Sequence, residues 1–129
     1  MKKSQDNTTK KNIQQRAFNF ACRIVMLYQH LAKQKSGGEI LGRQVLRSGT
    51  AIGANLEEAS AGQSRADFIH KCNIALKEAR ETLYWLRLLI TTQLVEEKKL
   101  SKLAKEADEL TAILTTIVQN SRRRAICNK

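Results

Sequence analysis

The sequence predicts an all-α protein, folded as an antiparallel four-helix bundle with up-down-up-down topology. Two observations support this prediction. Proline is absent from the 129 residues, and all six glycines lie between Gly37 and Gly62, so the strongest helix breakers are confined to one window. Four segments repeat apolar residues at spacings of three and four, and short links join them, which favours neighbouring helices that alternate in direction.

The first predicted helix follows a polar, basic segment. Residues 1–12 have little apolar content and are predicted to form a disordered tail. An apolar face begins at Ile13, and a second stripe beside it makes that face wider than one bundle seam requires. The extra width favours contact with another subunit. The main face comprises Ile13, Ala17, Phe20, Ile24, Leu27 and Leu31, and the second stripe comprises Phe18, Ala21, Val25, Tyr28 and Ala32.

The second predicted helix runs to about Ala61. Ser36 and Glu39 fit the N-cap and N3 positions of a capping box. Gly49 and Gly53 predict close approach of another helix, because each costs about 1 kcal/mol of helix propensity, which close packing would offset. The inward positions are unusually small or polar, and they are Leu41, Val45, Ser48, Ile52, Asn55, Leu56 and Ala59.

Polar residues around the glycine segment are interpreted as structural, with a ligand site as the less favoured alternative. Asn55 falls on the inward face, so we expect it to hydrogen-bond a facing helix, since an unpaired buried amide is costly. Arg47 and Glu58 lie three turns apart on one face and are expected to pair with other helices. Glu78 and Glu81 fit either a solvated or an inter-helix charged face.

Capping and apolar spacing define the third and fourth predicted helices. Ser64 and Asp67 resemble a capping box, and the helix that follows spans roughly 28 residues. Tyr84 and Trp85 fall in its apolar end, so no aromatic surface for RNA stacking is predicted. The fourth helix leads into a basic tail at 121–129, which leaves 13–120 as the bundle. The apolar positions are Phe68, Cys72, Ala75, Ala79, Leu83, Leu86 and Ile90, then Leu100, Leu103, Ala107, Leu110, Leu114 and Ile117.

The net charge of +11 predicts a polyanionic partner such as nucleic acid, or an anionic membrane surface, and the alternative is a basic protein whose charge serves only solubility. Residues 1–12 carry four Lys and one Asp, residues 121–129 carry three Arg and one Lys, and the first helix carries four cations without an acid. Both termini of an up-down-up-down bundle emerge at one end, so positive charge gathers there. Recognition is expected to depend on backbone charge and shape. The predicted nucleic-acid contacts are Arg16, Arg23, Lys33, Lys35, Arg122, Arg123 and Arg124.

The sequence contains no recognisable catalytic or cofactor-binding motif. Glycine-rich nucleotide loops, a GxSxG elbow and a CxxCH motif are missing, and the two histidines lack the paired ExxH motifs of a di-iron site. Three cysteines without CxxC spacing are not a disulfide framework. We therefore expect no enzyme activity, no cofactor and no metal. Without a secretory signal or an apolar run of about 20 residues, a cytoplasmic protein outside the membrane is predicted.

Three segments carry a family resemblance: RSGTAIGANLEEA at 47–59, SRADF at 64–68 and ALKEARET at 75–82. The chain resembles the bacterial four-helix-bundle proteins often encoded within intervening sequences of 23S ribosomal RNA genes, most densely over residues 44–90. The resemblance implies a ring-like homopentamer. It also implies similarity to the accessory proteins of diversity-generating retroelements, which bind nucleic acid and a reverse transcriptase.

Two positions depart from the pattern of that family. Many relatives carry proline at the position of Gly53, so glycine is expected to keep the second helix continuous here. Many also carry glycine near the position of Gln93, so the third helix is expected to stop less firmly in this chain.

Charge and resemblance together favour a non-enzymatic, oligomeric bundle that binds structured RNA through its first helix and its tails. The alternative is a protein-binding scaffold or an accessory subunit for a nucleic-acid enzyme, with charge serving only solubility. RNA affinity that falls steeply with salt favours the first hypothesis. Co-purification of a specific protein without RNA favours the second.

Overall fold

The computed structural model describes residues 2–34, 37–62 and 64–127, with side chains from Asn12 onward. Within these ranges the chain forms helices and no strand. The predicted all-helical, four-helix fold is therefore confirmed. The helices are α1 (Lys2–Ala32), α2 (Gly38–Ser60), α3 (Arg65–Thr91) and α4 (Glu97–Cys127).

Two helix ends lie further out than the sequence predicts. The structure starts α1 at Lys2, whereas disorder is predicted up to residue 12, and α4 continues to Cys127 through the predicted C-terminal tail. Neither terminal segment contains glycine or proline, so no residue there interrupts a helical backbone. The three arginines of the predicted C-terminal tail consequently stand on α4.

All four helices contribute to one apolar core. The predicted main face of α1 is buried throughout, from Ile13 to Leu31, whereas Phe18 and Val25 of the second stripe are exposed. Burying a large apolar side chain contributes roughly 1.5–3 kcal/mol, so the main face holds α1 on the core. The largest fully buried apolar side chains are Phe20, Ile24, Leu31, Val45, Ile52, Leu86, Leu89, Leu110 and Leu114.

Helices that are adjacent in sequence pack closely, while α1 and α4 contact each other only sparsely. Contacts between α1 and α2 run in opposite order along the two helices, because Gly42 lies against Leu31 and Gly53 lies against Ala17. Across the described residues, no Cα atom of α1 lies within 8 Å of a Cα atom of α3. These two helices therefore lie on opposite sides of the core, and their outward faces point in different directions.

The two internal helix starts differ in their capping. The N-cap of α2 is Gly37, with a left-handed φ of 88° and no side-chain cap, and glycine is the residue that adopts this conformation without strain. The prediction that Ser36 is the N-cap is therefore wrong, and Ser36 itself lies outside the described residues. At α3 the prediction is confirmed, since the Ser64 side chain accepts a hydrogen bond from the Asp67 backbone N–H at 3.1 Å.

The end of α3 is set by a strained residue. Gln93 follows the end of α3 and has a left-handed φ of 61°. Its backbone N–H donates a hydrogen bond to the Ile90 carbonyl at 3.0 Å. A residue with a Cβ loses about 1–2 kcal/mol in this conformation, whereas glycine loses more backbone entropy on folding. We expect Gln93→Gly to raise the free energy of unfolding in urea by about 0.5–1 kcal/mol, and Gln93→Val to lower it. Equal stability of the two variants would contradict strain at this turn.

Candidate nucleic-acid interface

The glycine segment of α2 faces α1. A Cβ at Gly49 would lie 2.9 Å from both Cγ atoms of Ile24, which is fully buried. A Cβ at Gly53 would lie 3.6 Å from the Ala17 carbonyl group, an ordinary van der Waals contact. Close approach of another helix is confirmed, and Gly49 is the position that requires glycine. As predicted, α2 is continuous through Gly53.

Asn55 does not bond a facing helix, contrary to the prediction. It is only half-buried, and its amide donates to the Ala51 carbonyl of its own helix at 2.8 Å. A buried polar contact between α2 and α3 joins the hydroxyls of Ser48 and Thr82, whose oxygens lie 2.8 Å apart. Thr82 has one hydroxyl hydrogen and lies 2.7 Å from the Glu78 carbonyl, so it donates there and accepts from Ser48. This pair satisfies both buried hydroxyl groups.

Arg47 and Glu58 pair with α3, as the sequence predicts. The Arg47 guanidinium contacts the carboxylates of Glu81 and, at 3.4 Å, of Glu78. Glu58 lies 2.6 Å from the Lys71 ammonium. Burial raises the pKa of Glu78, an effect that Arg47 opposes and Glu81 reinforces. Two carboxylates of α3 are thus turned toward α2 and away from the outer face.

Arg16, a predicted nucleic-acid contact, is bound to α4. Its guanidinium contacts the carboxylates of Glu106 and, at 2.8 Å, of Glu109. The hydrogen bond from Arg16 lowers the pKa of Glu106, although burial opposes that shift. The contact therefore stabilises the fold at neutral pH, and this contribution is lost as pH falls through the folded-state pKa of Glu106. Because Arg16 is paired with two carboxylates of α4, it is not among the cations proposed below to bind nucleic acid.

The other predicted cations within the described residues are exposed but do not form one patch. Arg23 lies on α1, and Lys33 follows the last residue of that helix, roughly 15 Å further along at 1.5 Å per residue. Lys35 lies outside the described residues. The other three are exposed near the end of α4, and they are Arg122, Arg123 and Arg124.

One exposed basic face, on α3, is missing from the sequence-based prediction. Lys77, Arg80 and Arg87 are exposed, and Tyr84 between them is 58% exposed. The expectation that both aromatics of this helix lie within apolar surroundings is wrong for Tyr84, while Trp85 packs against the core. Spacings of three, four and three residues place the four side chains on one side of the helix. The apolar run around Tyr84 obscures that signal in the sequence.

The chain also matches a family of known sequences. Residues 9–116 match the profile of the family described as 23S rRNA-intervening sequence protein, which is most of the chain. The chain belongs to this family. The family resemblance predicted from the glycine segment is therefore confirmed.

A solved structure resembles this intervening-sequence protein over nearly its whole length. It is a protein of unknown function from the S23 ribosomal protein family of Bacteroides thetaiotaomicron. The two chains are 42% identical and superpose with a TM-score of 0.81, and the match covers 86% of the present chain and 98% of the other. No curated protein matches the chain.

The described ranges contain neither a membrane-spanning helix nor a metal-binding cluster. Within residues 2–34, 37–62 and 64–127, no helix of the intervening-sequence protein combines the length and apolar character needed to cross a membrane. No three His, Cys, Asp or Glu side chains of those ranges come together as a metal site requires.

An open groove between α1 and α2 is lined by Gln14, Gln15, Phe18 and Glu57.

The outward side of α1 carries an apolar stripe. Phe18 is 60% exposed and Met26 is 66% exposed, and the exposed residues Cys22 and Val25 lie between them. Spacings of four, three and one residues keep these four side chains on one side of the helix. They are named the α1 stripe below. The stripe overlaps the second apolar stripe predicted from the sequence at Phe18 and Val25.

Proposed function

We propose that this intervening-sequence protein is a non-enzymatic, oligomeric helical bundle that binds structured RNA in the bacterial cytoplasm. The observation that carries the proposal is the separation of charge between helix contacts and outer surface. Arg16 and Arg47 each bind two carboxylates, so four acids lie in contacts between helices. Each such cluster has a net charge of −1, which leaves the rest of the chain more basic than its net charge of +11 indicates. A surface of this kind attracts polyanions.

RNA is favoured over other polyanions because the description of the family names 23S rRNA. The contacts in this proposal come from exposed cations of α1 and α4, with the polypeptide reading phosphate positions and RNA shape. Arg23, Lys33 and the three arginines near the end of α4 supply these contacts, and Lys35 belongs to the same proposed set.

Self-assembly is the second part of the proposal. The four helices form an antiparallel up-down-up-down bundle, and several copies join in a ring, with five subunits as the family resemblance implies. The α1 stripe supports this idea, because exposed apolar side chains that share one helix face mark protein–protein contacts. Similarity to the accessory proteins of diversity-generating retroelements belongs to the same proposal.

Salt dependence tests the RNA proposal. Affinity for a structured RNA should fall steeply with salt, because binding releases counterions from the phosphates. Replacing Arg122, Arg123 and Arg124 with alanine should reduce the slope of log affinity against log salt by about 2–3, at roughly 0.7–0.9 per lost phosphate contact. Fluorescence anisotropy with a labelled ribosomal RNA fragment measures both quantities.

A matched variant removes the same charge from another surface of α4. Lys98, Lys102 and Lys105 are exposed on the first half of α4, and replacing them with alanine also lowers the net charge by three. We expect this control to change the slope less than the arginine variant does. An RNA affinity that depends neither on salt concentration nor on the three arginines would contradict the proposal.

A protein-binding scaffold or accessory subunit is the second candidate. It is favoured by exposed apolar side chains outside α1, of which Ile40 on α2 is 71% exposed. This function predicts that a specific partner protein, such as a nucleic-acid enzyme, co-purifies at physiological salt while RNA is not retained. Retention of RNA without a protein partner under those conditions favours RNA binding instead.

A further inference from the structure

The outward face of α3 presents three cations and one aromatic ring. Lys77, Arg80, Tyr84 and Arg87 are all exposed and lie on one side of the helix. From the first to the last they span ten residues, or roughly 15 Å at 1.5 Å per residue. A nucleic-acid strand has several phosphates within such a length, since duplexes carry about one charge per 1.7 Å of axis.

Acidic side chains are directed away from this face. Glu78 and Glu81 belong to the same stretch of α3, yet both contact Arg47 on α2. None of the three α3 cations forms an ion pair with any side chain in the described ranges. A merely solvated helix face interleaves charges of both signs, as the first half of α4 does with its lysines and glutamates. The α3 face instead shows one sign of charge.

The ring of Tyr84 is held in place but remains accessible. It packs edge-on against Trp85, with ring centroids 5.1 Å apart and an interplanar angle of 70°. Because Trp85 packs against the core, this contact restrains the tyrosine while leaving more than half of it in solvent. A restrained, exposed aromatic ring between cations is the arrangement on which unpaired bases stack.

The position of α3 in the bundle separates this face from the α1 stripe. In the described part of the chain, no Cα atom of α1 lies within 8 Å of a Cα atom of α3, so α3 lies across the core from the α1 stripe. A ring of identical subunits uses two different faces of each subunit, and the α1 stripe is one of them in this proposal. The α3 site therefore requires that the second face is not the outward face of α3.

We propose that the outward face of α3 binds an unpaired segment of a structured RNA, with Lys77, Arg80 and Arg87 on successive phosphates and a base stacked on Tyr84. This inference rests on the proposed RNA-binding function and assigns to it a site that differs from the predicted cations of α1 and α4. Duplex RNA cannot use the tyrosine, because its bases are already stacked and paired.

Two labelled RNAs test the site: a hairpin with an unpaired loop and a blunt duplex of equal length. We expect Tyr84→Leu to weaken hairpin binding on the order of tenfold, while duplex binding and the salt slope stay unchanged. Tyr84→Phe should bind as the wild type does, since it keeps the ring. The combined substitution of Lys77, Arg80 and Arg87 by glutamine should reduce the salt slope for the hairpin by about 2.

Controls separate this site from the general proposal. The α4 variant with Lys98, Lys102 and Lys105 changed to glutamine carries the same charge as the α3 variant, and far-UV circular dichroism checks that each variant folds. If the wild type binds neither RNA, the proposed function itself fails. If the wild type binds the hairpin and the α3 variants bind it equally well, RNA binding stands and the α3 site is overturned.

Discussion

Replacing Gly49 with alanine is expected to destabilise the protein by about 1–2 kcal/mol, although alanine is the better helix former. The new Cβ would lie 2.9 Å from both Cγ atoms of Ile24. Ile24 is fully buried and β-branched, so it cannot rotate away without moving its neighbours. Overpacking of this kind costs typically about 1–3 kcal/mol, which exceeds the roughly 1 kcal/mol that alanine returns in helix propensity.

Gly53→Ala is the matched control, and its expected effect has the opposite sign. A Cβ there meets Ala17 at 3.6–3.7 Å, which is an ordinary contact. Helix propensity then dominates, and the free energy of unfolding should rise by about 0.5–1 kcal/mol. Urea denaturation at one fixed protein concentration measures both variants. A stabilised Gly49→Ala variant would contradict the close α1–α2 contact.

Replacing Phe18 and Met26 with arginine is expected to turn the assembled protein into monomers. Both side chains are mostly exposed in the single chain, so the substitutions remove little packing within the fold. In the proposed assembly the same side chains lie between subunits, where two buried, unpaired charges per chain would be strongly unfavourable. Light scattering coupled to size-exclusion chromatography should show the mass falling from the assembled value to 14.6 kDa.

Ile40→Arg supplies the control for that experiment. Ile40 is at least as exposed as the two α1 residues, but it lies on α2. The control should keep the mass of the wild type. A wild-type protein that is monomeric at high concentration contradicts the assembly proposal. If the wild type assembles and the Phe18 and Met26 variant keeps its mass, the interface does not involve the α1 stripe.

The core and the approximate positions of the four helices were largely predictable from local patterns, whereas the N-cap of α2 and the outer ends of α1 and α4 were not. Apolar spacing identifies the buried face of α1 because one helix face repeats every three to four residues. The Ser64 cap is equally local, since it joins residues only three positions apart. Gly49 could be recognised as a close-contact position because a costly glycine within a helix requires a compensating contact.

Contacts between distant residues could not be predicted in the same way. Arg16 is one cation of a basic helix in the sequence, and only the fold brings it to Glu106, ninety positions away. The Asn55 amide donates to a carbonyl of its own helix. Helix periodicity alone does not show whether such a bond or a bond to another helix forms. Tyr84 illustrates the reverse difficulty, because its apolar sequence neighbours suggest burial while its helix angle exposes it.

The chemistry of the candidate interface follows from where the acids are placed. Arg47 draws two carboxylates of α3 toward α2, which leaves the other side of α3 basic. The same arginine therefore stabilises a helix contact and shapes the charge of a surface it does not belong to. Changing Glu78 or Glu81 should affect both properties, whereas the exposed cations can be changed without affecting the core.

Crosslinking of the protein to RNA in its native cells, followed by sequencing of the recovered RNA, tests the central claim most directly. RNA binding through exposed cations and Tyr84 predicts strong enrichment of structured transcripts, with crosslinks concentrated in unpaired loops beside helical stems. The Tyr84→Leu protein, expressed at the same level, should lose the loop crosslinks. Recovered RNA that merely follows transcript abundance, with the same profile for both proteins, would contradict the claim.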